Sequence, residues 1–407
     1  MTSKRREGNR IPELDGLRVL MIFIVSWFHI WQQSWLEPVI RIPALGVWYS
    51  LDWLVRSGYV WVDGTVLLSA FLIYLPFERA RREGRPIPDA REFYFRRAKR
   101  IVPGYWFIIL LTLFVVVIPW DPYRSAPFMV KDLFTHFTFI FNLFKDTYLQ
   151  SPLGGAPWTL AVIAQGYLLF PLFARGVRRR PAVTLVAMAL AAFAFRAWCL
   201  WGLSEYSFVV NQLVNFLDIY ALGILCAVAF PRLRDWTESE AVAGRKGTRI
   251  IVQAAATVLF FACLYGLAKM LKVQAGSQGY PTLQGNQMLF RPVFGACFAG
   301  MILSAPFMVK PLRLLLGNPV TKFLSMISMN YYLIHQTIAV HLKRLHIPPS
   351  VSEQPNVDRE LSWMMPYSWL CFGISVALAA LITFLIEKPG GKLMEKWWKR
   401  KDKKAAI

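Results

Sequence analysis

Four ionisable residues stand out inside the apolar runs of this 407-residue sequence: His29, Asp63, Asp218 and His335. An ionisable side chain inside lipid costs several kcal/mol unless it is paired or hydrated, so each marks a candidate functional site. The chemistry open to them is proton transfer. A positioned imidazole takes a proton from a hydroxyl, and a carboxylate beside it fixes the ring and stabilises its protonated form. Counted at 1.5 Å per residue from the ends of their runs, His29 lies roughly 18 Å and Asp63 roughly 22 Å from the same side of a core about 30 Å thick. The two are expected at similar depth, with Asp63 orienting His29. The same count puts His335 at about 25 Å and Asp218 near the midplane.

A second group is cationic. Arg18 follows Asp15 by three residues at the mouth of the first apolar run, and Arg96, Arg97, Lys99 and Arg100 immediately precede Ile101, Val102 and Pro103. Guanidinium groups bind phosphate through forked hydrogen bonds, so this cluster suits a phosphate-bearing cytosolic anion as well as ordinary membrane anchoring. Asn211, Asn215 and Asp218 follow i, i+4, i+7 spacing and are expected to form one polar helix stripe facing the interior, as interhelical glue or as a binding surface.

The elements that must carry these residues are membrane spans. With 56% hydrophobic residues and a mean hydropathy of +0.40, the chain holds more apolar surface than soluble domains bury, which excludes a soluble enzyme. Windows of about 20 residues give ten spans, at 17–36, 58–77, 101–119, 157–174, 182–201, 208–230, 250–270, 289–309, 318–340 and 365–386. The fold class expected is an all-α polytopic helical bundle with both termini on one side. With those termini cytoplasmic, the inner segments hold 32 Lys and Arg and the outer ones 9, as the positive-inside rule requires. That asymmetry accounts for the formal charge of +22 without a nucleic-acid partner.

The first run carries Arg18 and His29 with no small-residue cleavage site behind it, so it is expected to stay as a helix rather than leave as a signal peptide. Segment 133–144 is too short to span and reads as an outer or re-entrant piece leading into the loop at 151–157. Five cysteines, Cys199, Cys226, Cys263, Cys297 and Cys371, are widely spaced in apolar runs and read as small core residues. The five histidines lack metal-ligand spacing, so no metal site is expected. Walker and GxGxxG loops are absent, which disfavours ATP-driven transport by this chain.

Six fragments in order along the chain resemble the acyltransferase 3 family of membrane acyltransferases. Leu14-Asp15-Gly16-Leu17-Arg18, with His29 after ten further residues, is similar to that family's helix-one signature. Val62-Asp63 with Leu68-Ser69-Ala70-Phe71-Leu72 follows its second motif, departing at Gly64, Thr65, Val66 and Ala70. Arg97, Arg100 and Pro103 match Arg-x-x-Arg-x-x-Pro, and Trp158-Thr159-Leu160 with Gln165, Tyr167, Leu168 and Pro171 matches the Trp-Ser-Leu segment. Ile327-Ser328 through Tyr332-Leu333-Ile334-His335 and the closing Ile386-Glu387-Lys388-Pro389 complete the set. One departure stands out: Val162, Ile163 and Ala164 occupy positions where many members carry Val-Glu-Glu, so whatever role that carboxylate plays cannot be assigned here.

The resemblance implies transfer of an acyl group, acetyl in most members, from cytosolic acyl-CoA to a hydroxyl of a carbohydrate or other acceptor at or beyond the outer face of a bacterial cytoplasmic membrane. On it, His29 is the general base or acyl relay, Asp63 orients its imidazole, and His335 lines the acceptor end. Arg97 and Arg100 hold the CoA phosphates, Arg18 lines the mouth through which the pantetheine arm of the CoA enters, and Asp218, Asn215, Trp158 and Tyr167 contact the acceptor. Residues 1–390 form the transmembrane acyltransferase domain and 391–407 a basic cytoplasmic tail. Glu387 and Pro389 read as a structural helix terminus. The chain ends 21 residues after the last span, so the soluble esterase-like domain of some members is not expected here. The partners implied are acyl-CoA, the acceptor, the bilayer, and either a second copy or a separate extracytoplasmic transferase. The competing reading is a transporter or flippase of a glycan or lipid-linked intermediate, which calls for inverted repeats that the sequence does not display.

Overall fold

Inside a bilayer no water satisfies backbone amides, so apolar runs close their hydrogen bonds within themselves and become helices. The computed structural model describes residues 10–43, 46–154 and 157–405; the first part of the basic N-terminal tail and two positions of the 151–157 loop lie outside the described residues. Twelve helices carry the argument: α1 Pro12–Ser34, α2 Trp61–Arg82, α3 Ala90–Thr112, α4 Ala126–Phe137, α5 Trp158–Arg179, α6 Pro181–Gly202, α7 Leu217–Glu238, α8 Lys246–Ala275, α9 Tyr280–Ser304, α10 Pro319–Arg344, α11 Leu361–Ile382 and α12 Lys388–Ala405. A single antiparallel hairpin, Val39–Ile42 with Val47–Ser50, is the one sheet among the described residues.

The protein is an all-α polytopic membrane bundle. Among the described residues nine helices are long and apolar enough to cross a membrane. The tenth expected span, 318–340, is α10, also a continuous helix of 26 residues. It falls outside the nine because Ser325, Ser328, Asn330 and His335 lower its hydropathy, and all four are buried against neighbouring helices rather than lipid. The apolar window of α2 is 72% buried and that of α8 only 11%, so α2 is central and α8 peripheral. Around α2 stand α1, α7 and α9, while α10 packs on α1, α3 and α11.

Local sequence sets the ends. Asn318 caps α10, its side-chain oxygen accepting from the amides of Val320 (2.9 Å) and Thr321 (3.0 Å), while Thr321 Oγ1 accepts from the Asn318 amide and Pro319 supplies the first turn. Ser125 caps α4, which takes in the first part of segment 133–144; a 3₁₀ turn, Phe141–Leu143, follows. The sixth span starts later than expected. Residues 207–211 are turn, 212 is a bend, Leu213–Phe216 is a 3₁₀ turn, and α7 begins at Leu217, so Asn211, Asn215 and Asp218 are not one helical stripe.

At the C-terminal end Pro389 does not stop the helix. A π turn over Thr383–Glu387 loosens the ladder, and helix continues as α12 across the 390/391 boundary. The basic tail is thus a docked helix: Trp398 stacks on Phe95 at 4.2 Å, and Lys99 Nζ meets Glu395 at 2.9 Å. Glu387 is buried, not terminal in role. It accepts from Asn330 Nδ2 at 2.7 Å and lies 4.0 Å from the Arg100 guanidinium.

Candidate active site

The helix-one signature Leu14-Asp15-Gly16-Leu17-Arg18 divides its work by face. Leu14 and Leu17 are buried in the core. Gly16 lies under the short helix Lys310–Leu316, where a Cβ would stand 2.3 Å from the Leu316 carbonyl oxygen. Close approach of two backbones therefore requires glycine. Asp15 and Arg18 are joined through α10: Ser325 Oγ donates to Asp15 Oδ1 (2.9 Å) and accepts from Arg18 Nη1 (3.3 Å). Arg18 so held faces a cavity of about 350 Å³ between α1, α2, α3, α5 and α10.

This first cavity brings together Arg18, Arg97, Arg100 and Tyr167. Arg97 lies over the rings of Phe93 (5.6 Å) and Tyr167 (5.7 Å), and its buried Nε has no hydrogen-bond partner. No carboxylate lines the cavity among the described residues, while outside its lining Glu387 lies 4.0 Å from Arg100 and Ser325 bridges Arg18 to Asp15. Its remaining wall, including Ile22, Leu68, Leu72, Leu160, Ile163 and Leu333, is apolar. Ile163, in the stretch where the sequence carries no counterpart of the Val-Glu-Glu carboxylates, contributes only hydrocarbon.

A second cavity of about 390 Å³ holds His29 and Trp158. His29 Nδ1 stands 3.1 Å from Gln32 Oε1, one turn ahead on α1. Because that amide oxygen only accepts, the network assigns the proton to Nδ1 and leaves Nε2 as the basic nitrogen. Aromatic rings (Phe28, Trp31, Tyr59, Tyr280) and amides (Gln32, Asn211, Gln284, Gln287) line the rest, with Arg56. Among the described residues this cavity also has no lining carboxylate. His335 lines neither cavity. It is fully buried, its ring 5.2 Å from that of His29, and its Nδ1 donates to the Tyr332 carbonyl at 2.7 Å.

Asp63 is not the partner of His29. On α2 the neighbouring Val62 faces the second cavity, and a step of about 100° turns Asp63 toward α9. There Asp63 Oδ2 accepts from Arg291 Nε at 3.3 Å, both side chains being buried. Asn215 and Asp218 belong to the same interior: Arg196 donates to both Asp218 oxygens (2.8 and 2.6 Å), to Asn215 Oδ1 (2.8 Å) and to the Asn215 carbonyl (2.7 Å). Arg291 reaches that carbonyl as well (3.4 Å) and covers the Phe216 ring at 4.0 Å. Two arginines and two aspartates close a neutral network between α2, α6, α7 and α9, lining neither cavity. Tyr167 sits with the arginines, away from the His29 cavity.

Sequence reasoning passed over Arg196 and Arg291, although both lie within apolar runs; treating arginine like Asp and His inside spans would have found them. It also missed Gln32. Among the described residues no three of His, Cys, Asp and Glu gather into a metal-ligating group.

A family model described as an acyltransferase domain matches residues 11–385, nearly the whole chain. The chain is 26% identical over 180 residues to "Putative peptidoglycan O-acetyltransferase YrhL" of Bacillus subtilis strain 168, covering 42% of this chain and 25% of that protein. It is 25% identical over 176 residues to the peptidoglycan O-acetyltransferase OatA of Listeria monocytogenes serovar 1/2a, covering 40% of this chain and 24% of that protein. The matched region thus spans about a quarter of the length of these curated relatives. No solved structure matches the chain.

Proposed function

From its place as a member of the acyltransferase 3 family, we propose that this multi-pass membrane protein transfers an acyl group, acetyl in the simplest case, from acyl-CoA to a hydroxyl of an extracytoplasmic carbohydrate. The observation that carries the reading is the pair of unlike cavities, one cationic and acid-free, the other aromatic, amide-rich and holding His29. Arg18, Arg97 and Arg100 offer forked donors to the phosphates of the donor, and the apolar wall beyond them accommodates its pantetheine arm. On α1, Arg18 and His29 are eleven residues apart, about 16 Å along the axis. The Arg cavity faces the cytoplasm by the charge asymmetry of the loops. The relatives' names put a glycan of the bacterial cell envelope first among acceptors, and stacking rings with amide donors suit sugar faces and hydroxyls.

The reaction needs one proton removed and one returned. His29 Nε2 takes the proton from the acceptor hydroxyl as its oxygen attacks the thioester carbonyl. The C–S bond then breaks, and the proton passes to the departing thiolate, giving an ester and free CoA thiol. General-base assistance of this kind is worth about 10²- to 10⁴-fold. Asp63, Asp218 and Asn215 serve by holding the helices that frame the two cavities. The test is release of CoA thiol by purified protein in lipid vesicles, with acetyl-CoA and cell-envelope glycans. Turnover should fall at least a hundredfold in His29→Gln. No CoA release by the wild type, or an unimpaired His29→Gln, refutes the assignment.

A further inference from the structure

The two cavities adjoin at Tyr332. On α1, Ile22 lines the Arg cavity and Val25 the His29 cavity, three residues or about 4.5 Å apart. Thr65 and Val62 divide in the same way on α2, while on α5 the division falls between the consecutive residues Thr159 and Trp158. The boundary wall between the cationic chamber and the histidine is therefore no more than about one helical turn thick. Among the described residues Tyr332 alone lines both sides of it. Its hydroxyl and Thr159 Oγ1 are 2.7 Å apart, and both residues are buried. The Tyr332 ring lies 5.5 Å from that of His335, which in turn lies 5.2 Å from His29.

Other hydroxyls of the Arg cavity are engaged elsewhere. Thr65 donates to the Val62 carbonyl (2.8 Å) and Ser328 to the Ser325 carbonyl (2.8 Å), both within their own helices. Ser69 pairs with Tyr167 at 3.3 Å, by the arginines. This leaves the Tyr332–Thr159 pair at the boundary, where one hydroxyl can exchange its partner for a ligand.

Resting on the acyl-CoA reading above, we infer that Tyr332 is a catalytic residue: its hydroxyl leaves Thr159 and donates to the thioester carbonyl oxygen as the acyl group enters the wall from the Arg cavity. As the acceptor oxygen attacks from the His29 side, the C=O bond opens to an oxyanion, and the phenolic O–H stabilises that charge in a site shielded from water. When the C–S bond breaks the carbonyl re-forms, the thiolate takes the proton held by His29, and Tyr332 ends the cycle with its own proton. Thr159 is only the resting partner of that hydroxyl and takes no part once the phenol has turned to the thioester.

The experiment compares Tyr332→Phe and Thr159→Val in vesicles, measuring CoA thiol release with acetyl-CoA and an envelope glycan, and CoA affinity by calorimetry. Both substitutions delete the same hydrogen bond, so a merely structural role makes them alike. A donor role separates them. Tyr332→Phe should lower kcat about 10²- to 10³-fold, the usual loss of one oxyanion donor. CoA affinity should stay within about twofold of wild type, and Thr159→Val should keep kcat within about threefold because the phenol remains. Wild-type kcat in Tyr332→Phe, equal losses in the two variants, or joint loss of kcat and CoA affinity in Tyr332→Phe overturns the inference alone. No thiol release by the wild type overturns the acyl-CoA reading and this one with it.

Discussion

Replacing Asp63 by Ala should destabilise the protein while leaving the chemistry of each folded molecule almost intact. Asp63 Oδ2 and Arg291 Nε are 3.3 Å apart, both side chains essentially without exposure. At an effective dielectric of about 20 that separation corresponds to roughly 5 kcal/mol of attraction, at the upper end of the roughly 3–5 kcal/mol lost when one partner of a buried pair is removed. Arg291 keeps the Val210 carbonyl (3.2 Å), the Asn215 carbonyl (3.4 Å) and the Phe216 face, so the loss should fall near the lower end, about 3 kcal/mol. That is roughly a hundredfold in the unfolding equilibrium. Asp63→Asn, which retains an acceptor for Arg291 Nε, should lose less. The assay pairs thermal unfolding in detergent with CoA release normalised to folded protein. Had Asp63 oriented His29, the opposite pattern would appear: a stable Asp63→Ala with turnover lost per folded molecule. That result would refute the separation of the Asp63–Arg291 network from the His29 cavity.

Arg97→Gln should raise the KM for acyl-CoA about tenfold or more, the scale of one charge-assisted hydrogen bond, and leave the glycan KM unchanged; equal shifts in both would remove Arg97 from donor binding. Gly16→Ala should reduce the yield of folded protein and its thermal midpoint, because a Cβ 2.3 Å from the Leu316 carbonyl oxygen drives α1 from the neighbouring helix; a midpoint equal to wild type would show that the two backbones can part without penalty.

The spans were legible because lipid leaves the backbone one solution, and a run of apolar residues states it directly. Even α10, the least apolar, was found by the length of its pattern, with its cap at Asn318 readable in retrospect as Asn-Pro-x-Thr. The grouping of Arg18 with Arg97 and Arg100 was legible too, since positive-inside topology puts both segments on one face. Azimuth was not. Depth counted along α1 and α2 sets His29 and Asp63 level, yet depth leaves the rotation of each helix free, and Val62 rather than Asp63 faces the histidine. The same blindness gave Asn215 and Asp218 to a ligand. Their partner Arg196 sits on another helix, and no periodicity within one segment announces a pair made between two. The α7 start shows a different limit: the polar spacing read as helical belongs to a turn and a 3₁₀ segment, which share residue preferences with helix ends.

Among the described residues both cavities are without a lining carboxylate, and that constrains the proton chemistry. In a triad the orienting acid stabilises an imidazolium after the base has taken its proton. Here the group at His29 Nδ1 is the neutral oxygen of Gln32, and the neighbouring ring, His335, is committed through its own Nδ1 to the Tyr332 carbonyl. Both fix orientation, and neither offers a negative charge. If His29 is the base proposed above, its protonated ring has no carboxylate beside it to stabilise the charge, and its proton must be returned quickly. A thioester suits that need, because a thiol near pKa 8.5 leaves as thiolate without prior protonation and then accepts the proton from His29. An amine or alkoxide leaving group would require the imidazolium to persist until expulsion. The absence of an acid beside His29 thus fits an activated donor reaching it through the wall at Tyr332.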